Sequence, residues 1–134
     1  MKVKPFFDDY FAGSAHADED GFYHYLVENK AGVIVCSPLD VTEQDPMEIT
    51  DGLIIDFDDE DILSMTWLRG EDYFDFQHTE VSAIEKFHEE VELPDGTIDA
   101  EEYIEIRSDD FPSRALRLTV KPYISVSFAH RYDL

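Results

Sequence analysis

The side chains most able to do chemistry in this chain are five histidines, one cysteine and a run of carboxylates. His16, His24, His78, His88 and His130 are dispersed, and none stands in an HxH, HxxxH or HExxH pair. With a single cysteine, a zinc site would have to be assembled from distant segments. Cys36 ends the apolar run Gly32-Val33-Ile34-Val35-Cys36 and has no histidine or cation beside it. It reads as a small core residue, because a reactive thiolate needs a cationic neighbour and a disulfide needs a second cysteine. Asp56, Asp58 and Glu60 have the spacing of the first ligands of an EF-hand loop. That loop requires Gly at its sixth position and Glu at its twelfth, and here those are Asp61 and Trp67. No GxSxG, GxGxxG or GxxxxGK[ST] segment occurs. A carboxylate pair of the glycosidase kind carries no signal in a chain with 32 Asp and Glu. The expectation is a protein that is not an enzyme and uses no cofactor and no metal.

What remains is charge. Against the 32 acids stand 10 Lys and Arg, a formal charge of −22. Direct binding to nucleic acid or to an anionic membrane needs a basic footprint, so both are disfavoured. Residues 5–106 hold 29 acids and three bases, whereas residues 107–134 are slightly basic. Carboxylates crowded within a Debye length of about 8 Å repel one another and oppose compaction. The densest block is Asp56-Phe57-Asp58-Asp59-Glu60-Asp61. If a strand ran past Phe57, Asp56, Asp58 and Glu60 would form a row at about 6.6–6.8 Å intervals. Acids interleave with aromatics in Pro5–Phe11 and again in Trp67–Phe76. Aromatic anchors beside well-placed charges are the composition of protein interfaces. The candidate partner-binding residues are therefore Asp56, Asp58, Asp59, Glu60, Asp61, Trp67, Glu71, Asp72, Tyr73 and Asp75.

These features suit an acidic inhibitor that docks on a basic protein. The first expectation is an immunity protein that neutralises a basic toxin, a nuclease above all, by occluding its positively charged site. The second is a DNA mimic of the phage anti-restriction or anti-CRISPR kind, and the third a halophilic domain of unrelated function. The expected partner is a basic protein, with no direct nucleic acid and no membrane, and the chain is expected to be a monomer or small homo-oligomer. The lysines at the N-terminus precede no long apolar segment, so no signal peptide is read and a cytoplasmic location is expected.

The elements that must position these residues follow from patterning. A chain of 134 residues, 43% hydrophobic and 13% aromatic, has the length of a single domain (1–134) and enough apolar mass to fold. Residues 21–28 and 33–36 read as a hairpin through the turn Asn29–Gly32, and 52–57 as a third strand. Residues 37–51 read as an acidic loop or a broken edge, and 62–68 as a strand or a short helix. Thr79 followed by Val81, Ile84, Phe87 or His88, and Val91 predicts an amphipathic helix, ended by Leu93-Pro94-Asp95-Gly96. Residues 102–107, 115–120 and 123–128 alternate as strands, with Pro122 marking a strand start or an edge. The expected fold is α+β: a mostly antiparallel sheet of five to seven strands with one principal helix on one face.

Overall fold

The structure is a computed structural model that describes residues 1–11, 13–40, 51–69, 72–121 and 123–130, with backbone alone at 51, 69, 72–78 and 129–130. The expected loop at 37–51 and Pro122 lie largely outside the described residues. One helix, α1 (Val3–Tyr10), precedes nine strands: β1 (Tyr23–Lys30), β2 (Val33–Pro38), β3 (Asp51–Phe57), β4 (Ile62–Arg69), β5 (Asp72–Glu80), β6 (Ala83–Glu92), β7 (Ile98–Arg107), β8 (Arg114–Lys121) and β9 (Ser125–His130). They form two antiparallel sheets, ordered β2-β1-β3-β4-β5 and β6-β7-β8-β9. Among the described residues, no helix is long and apolar enough to cross a membrane.

Alternation builds the core face of the first sheet, while Leu26 and Ile54 are buried with Leu39 on its other face. Val27, Leu53 and Trp67 lie opposite one another across three strands, as do Tyr25, Ile55 and Met65, and Tyr23, Phe57 and Leu63. Their common face is the core side, where Tyr25, Val27, Leu53, Ile55, Phe57, Leu63 and Met65 are all buried. The β1–β2 turn needs two residues with positive φ, and Ala31 (53°) and Gly32 (85°) supply them. The second sheet contributes Ile104, Ile106, Leu116 and Leu118 to the same contiguous core.

α1 is inserted where the sheets meet. Val3, Phe7 and Phe11 recur every fourth residue and join that core. The Phe7 ring lies 5.9 Å from Tyr25, 5.6 Å from Phe57 and 5.1 Å from Phe11. On its other side Tyr10 donates to Glu102 of β7 at 2.8 Å. Pro5 is tolerated because it falls in the first turn, where amide hydrogens have no helical acceptor. The aromatics of 5–11 thus serve largely as packing.

Two expectations are corrected. The segment read as a helix after Thr79 is β6, paired with β7 from Ala83↔Arg107 to Glu92↔Ile98. In the pleat, Ile84 faces inward opposite Ile106, while Phe87 faces outward and stacks on Tyr103 at 5.3 Å. Apolar residues on opposite faces of one strand imitate helical spacing, and long-range pairing overrides the helix propensity of the intervening Glu and Lys. Nine strands also replace the expected five to seven; β5 and β6 are the additions, and the helix is α1 instead.

The chain passes from one sheet to the other at Val81-Ser82. Val81 donates its amide to Asp61 O (2.9 Å) and Ser82 to Arg107 O (2.8 Å). From that corner β6 and β7 run outward beyond the reach of β8, whose ladder stops at Glu102↔Lys121. Residues 89–101 therefore form a two-stranded arm with no buried residue.

Candidate functional site

The acid block 56–61 closes the β3–β4 hairpin. β3 ends at Phe57, so the expected row of Asp56, Asp58 and Glu60 along a continuing strand does not form. Asp58 Oδ1 instead accepts the amides of Glu60 (2.9 Å) and Ile62 (3.1 Å), and Asp61 takes a positive φ of 63°. This is a tight turn followed by a left-handed residue, a geometry that aspartate tolerates better than most side chains. Asp59 and Glu60 are exposed at the tip, and Tyr23 donates to Asp59 Oδ1 at 3.0 Å.

Asp61 is turned the other way. Its carboxylate is buried and accepts the amides of Lys2 (2.7 and 2.9 Å) and Val3 (3.0 Å). Those are unsatisfied donors at the start of α1, whose own N-cap residue, Lys2, makes no side-chain cap. Asp61 caps the helix from 58 residues away and is not part of the exposed surface.

Asp56 pairs with His24 on the outer face of the first sheet. His24 Nδ1 contacts Asp56 Oδ1, and Nε2 contacts Asp18 Oδ2 at 2.7 Å. With a carboxylate at each ring nitrogen, both nitrogens must donate, so the ring is an imidazolium. The hydrogen bond to Asp56 pushes its pKa up to about 9, burial opposes the rise, and Asp18 adds to it. Burial works against ionisation of Asp18, yet the bonds from His24 and from the Phe22 and Asp20 amides hold its carboxyl below the usual range. Asp8 on α1 lies nearby, bonded by Lys4 and by the Tyr25 hydroxyl. Burial likewise opposes its ionisation, and the Lys4 and Tyr25 bonds outweigh it. Asp56, Asp58, Asp59 and Glu60 thus lie at one end of the first sheet, with Asp18 joined to Asp56 through His24 on the outer face and Asp8 paired with Lys4 on the core side.

Among the described residues, hollows open in two places. The first, about 310 Å³, is lined by Ser14, His16, Asp18, His24 and Asp40. Its His24, with a pKa pushed up to about 9, is held protonated at neutral pH between its two carboxylates, while Ser14 Oγ takes a hydrogen bond from Lys4 Nζ at 2.9 Å. The second is a crevice between β2 and β7, where hollows of about 290 and 490 Å³ share Tyr10, Ile34, Cys36 and Glu102. Burial, with Glu102 nearby, pushes the Cys36 thiol up to about 11, so it stays protonated at neutral pH. Burial and the Glu102 bond raise the Tyr10 hydroxyl too. Among the described residues, no group of three or more His, Cys, Asp and Glu is arranged to hold a metal ion.

The remaining candidates divide. Trp67 lies half-buried against the core, across from Leu53. Glu71 lies outside the described residues. Asp72, Tyr73 and Asp75 sit on β5 opposite Arg69, Leu68 and Thr66, and their side chains are likewise outside the described residues. Sequence reasoning overlooked a second acidic surface, the β6–β7 arm, because its glutamates were assigned to the polar side of a helix. The available signal was the turn Leu93–Gly96 between two segments of matched length. Comparison with known proteins finds no family model, no curated protein and no solved structure that matches the chain.

Proposed function

We propose that this chain is a non-enzymatic binding protein that plugs the cationic site of a basic protein partner, as an immunity protein does to a toxic nuclease. The observation that carries this reading is the run of Asp56, Asp58, Asp59 and Glu60 at a turn locked by its own hydrogen bonds, with Asp59 and Glu60 exposed at its tip. A pre-ordered turn loses little entropy on docking, and a focused negative field speeds encounter with a positive cleft. A phosphate-binding groove offers that complement, since carboxylates can occupy phosphate positions.

A second reading, a mimic of nucleic acid that blocks a restriction- or CRISPR-type enzyme, draws support from the arm. It carries carboxylates away from the turn by the length of β6, ten residues or roughly 30 Å. A longer negative surface suits an extended groove.

The test is the rate of association with the protein that co-purifies with the tagged chain from its host. The on-rate should fall steeply from about 50 to 300 mM NaCl, and Asp58→Asn, Asp59→Asn and Glu60→Gln together should lower it roughly tenfold at low salt with little change in the off-rate. An acidic partner, or association indifferent to salt, overturns the reading. Unchanged association for the triple variant removes the turn from the contact surface.

A further inference from the structure

We infer that the β6–β7 arm is the element that enters the partner: Val91 and Leu93 seat on the floor of a cationic nucleic-acid-binding cleft, and Glu89, Asp99 and Glu101 meet its basic walls. This rests on the binding-protein reading above and names the part of the chain that does the binding.

Between Phe87 and Ile106 there is no Lys or Arg and there are eight carboxylates. An isolated two-stranded ribbon is marginal in water, and this one is weakened further by its own charges. Glu89 stands directly opposite Glu101, on one face of the arm. Like charges at directly opposed positions destabilise a strand pair. The Tyr103 hydroxyl holds Glu89 at 2.8 Å and keeps that carboxylate in place.

Large apolar side chains sit among these acids without packing into the core. Val91 is 48% exposed, Leu93 40% and Ile98 67%. By strand alternation Val91 shares the face of Glu89, Glu101 and Asp99 and Ile98 lies on the reverse, while Leu93 follows just past the strand, its amide bonded to Thr97 O at 2.7 Å. Charges alone would serve to keep a free edge from pairing with other chains, but they leave these apolar residues unexplained. An apolar centre rimmed by like charges is the layout of a docking surface, and its complement is a hydrophobic floor with positive walls. A second copy of this chain does not fit, because it would set one row of carboxylates against another.

The test is photo-crosslinking in the native host, with benzoylphenylalanine placed at Val91 in the full chain and, in a separate chain, at Asp59 on the β3–β4 turn. The expected result is an adduct from position 91 to a strongly basic protein, lost when duplex DNA or RNA competes. Adducts from position 59 and none from position 91 overturn the arm and leave the binding-protein reading standing. An adduct from 91 to an acidic protein or to a second copy overturns the inference, and no adduct from either position overturns both. Val91→Ser with Leu93→Ser, which leaves every charge in place, should speed dissociation roughly 30-fold, and an unchanged off-rate refutes the apolar contact. Replacing residues 89–101 by Asn-Gly, so that His88 and Glu102 flank a two-residue turn, should abolish co-purification of the basic partner without unfolding the sheets, since no core residue is removed, and retained co-purification overturns the inference.

Discussion

Replacing Asp61 separates a charge that faces solvent from one that holds the fold together. Its carboxylate takes the amides of Lys2 and Val3 and so completes the open end of α1. Loss of a helix cap costs about 0.5–2 kcal/mol, and loss of a negative charge at a helix N-terminus about 0.3–1 kcal/mol. Asp61 also has φ of 63°, where a side chain that cannot bond locally is strained by roughly 1–2 kcal/mol. Asp61→Ala loses all three contributions and should destabilise by about 2–4 kcal/mol. Asp61→Gly loses the cap but relieves the backbone, for a net loss of about 1–2 kcal/mol. Asp61→Asn keeps an acceptor oxygen and tolerates the left-handed conformation, so its loss should be about 1 kcal/mol. Urea unfolding followed by Trp67 fluorescence and by circular dichroism measures the series. Asn above Gly above Ala is the expected order of stability. If the glycine variant equals the wild type, the remote cap is worth no more than the backbone strain that glycine relieves; if the alanine variant falls within about 0.5 kcal/mol of the wild type, the whole account fails.

Two further substitutions probe the same framework. His24 is raised in the folded state from 6.5 to about 9, so its contribution is fully present below pH 6.5 and drains away as pH climbs through 9. The urea midpoint should therefore decline between pH 6 and 10 more steeply in the wild type than in His24→Gln, and parallel curves would show that the two carboxylates do not hold the ring. Phe7 is fully buried among Phe11, Tyr25 and Phe57, and Phe7→Ala should cost about 3–5 kcal/mol. A loss under about 1 kcal/mol would mean that α1 is not integral to the core.

Much of the sheet was legible from two kinds of pattern. The β7, β8 and β9 readings follow from alternation, as at Leu116 and Leu118, whereas β1, β2 and β3 were legible as runs of β-forming residues, with Leu26 and Ile54 buried on the face opposite Tyr25 and Ile55. β6 was not legible, since Ile84 and Phe87 belong to opposite faces and their separation of three residues also satisfies a helix. α1 was missed for a complementary reason. Its eight residues include two phenylalanines, a tyrosine and a proline, so little intrinsic propensity favours a helix. The sheets around it and a cap from Asp61 supply what its own residues lack. The acid block was legible as a run of charge, but neither its turn geometry nor its division of labour was. Nothing local distinguishes Asp61, which closes on the amides of Lys2 and Val3, from Asp59 and Glu60, which face water. His24 had no sequence signal either, because its carboxylates come from a preceding loop and from the neighbouring strand.

The arm has a consequence for how this chain changes over generations. Because residues 89–101 add nothing to the interior, substitutions there escape the constraint that close packing imposes on Ile104 or Leu116. Their length, charge and apolar tip can drift or be selected while the two sheets behind them stay the same. Variation among descendants of this sequence should therefore concentrate at that hairpin, with the interior held nearly constant.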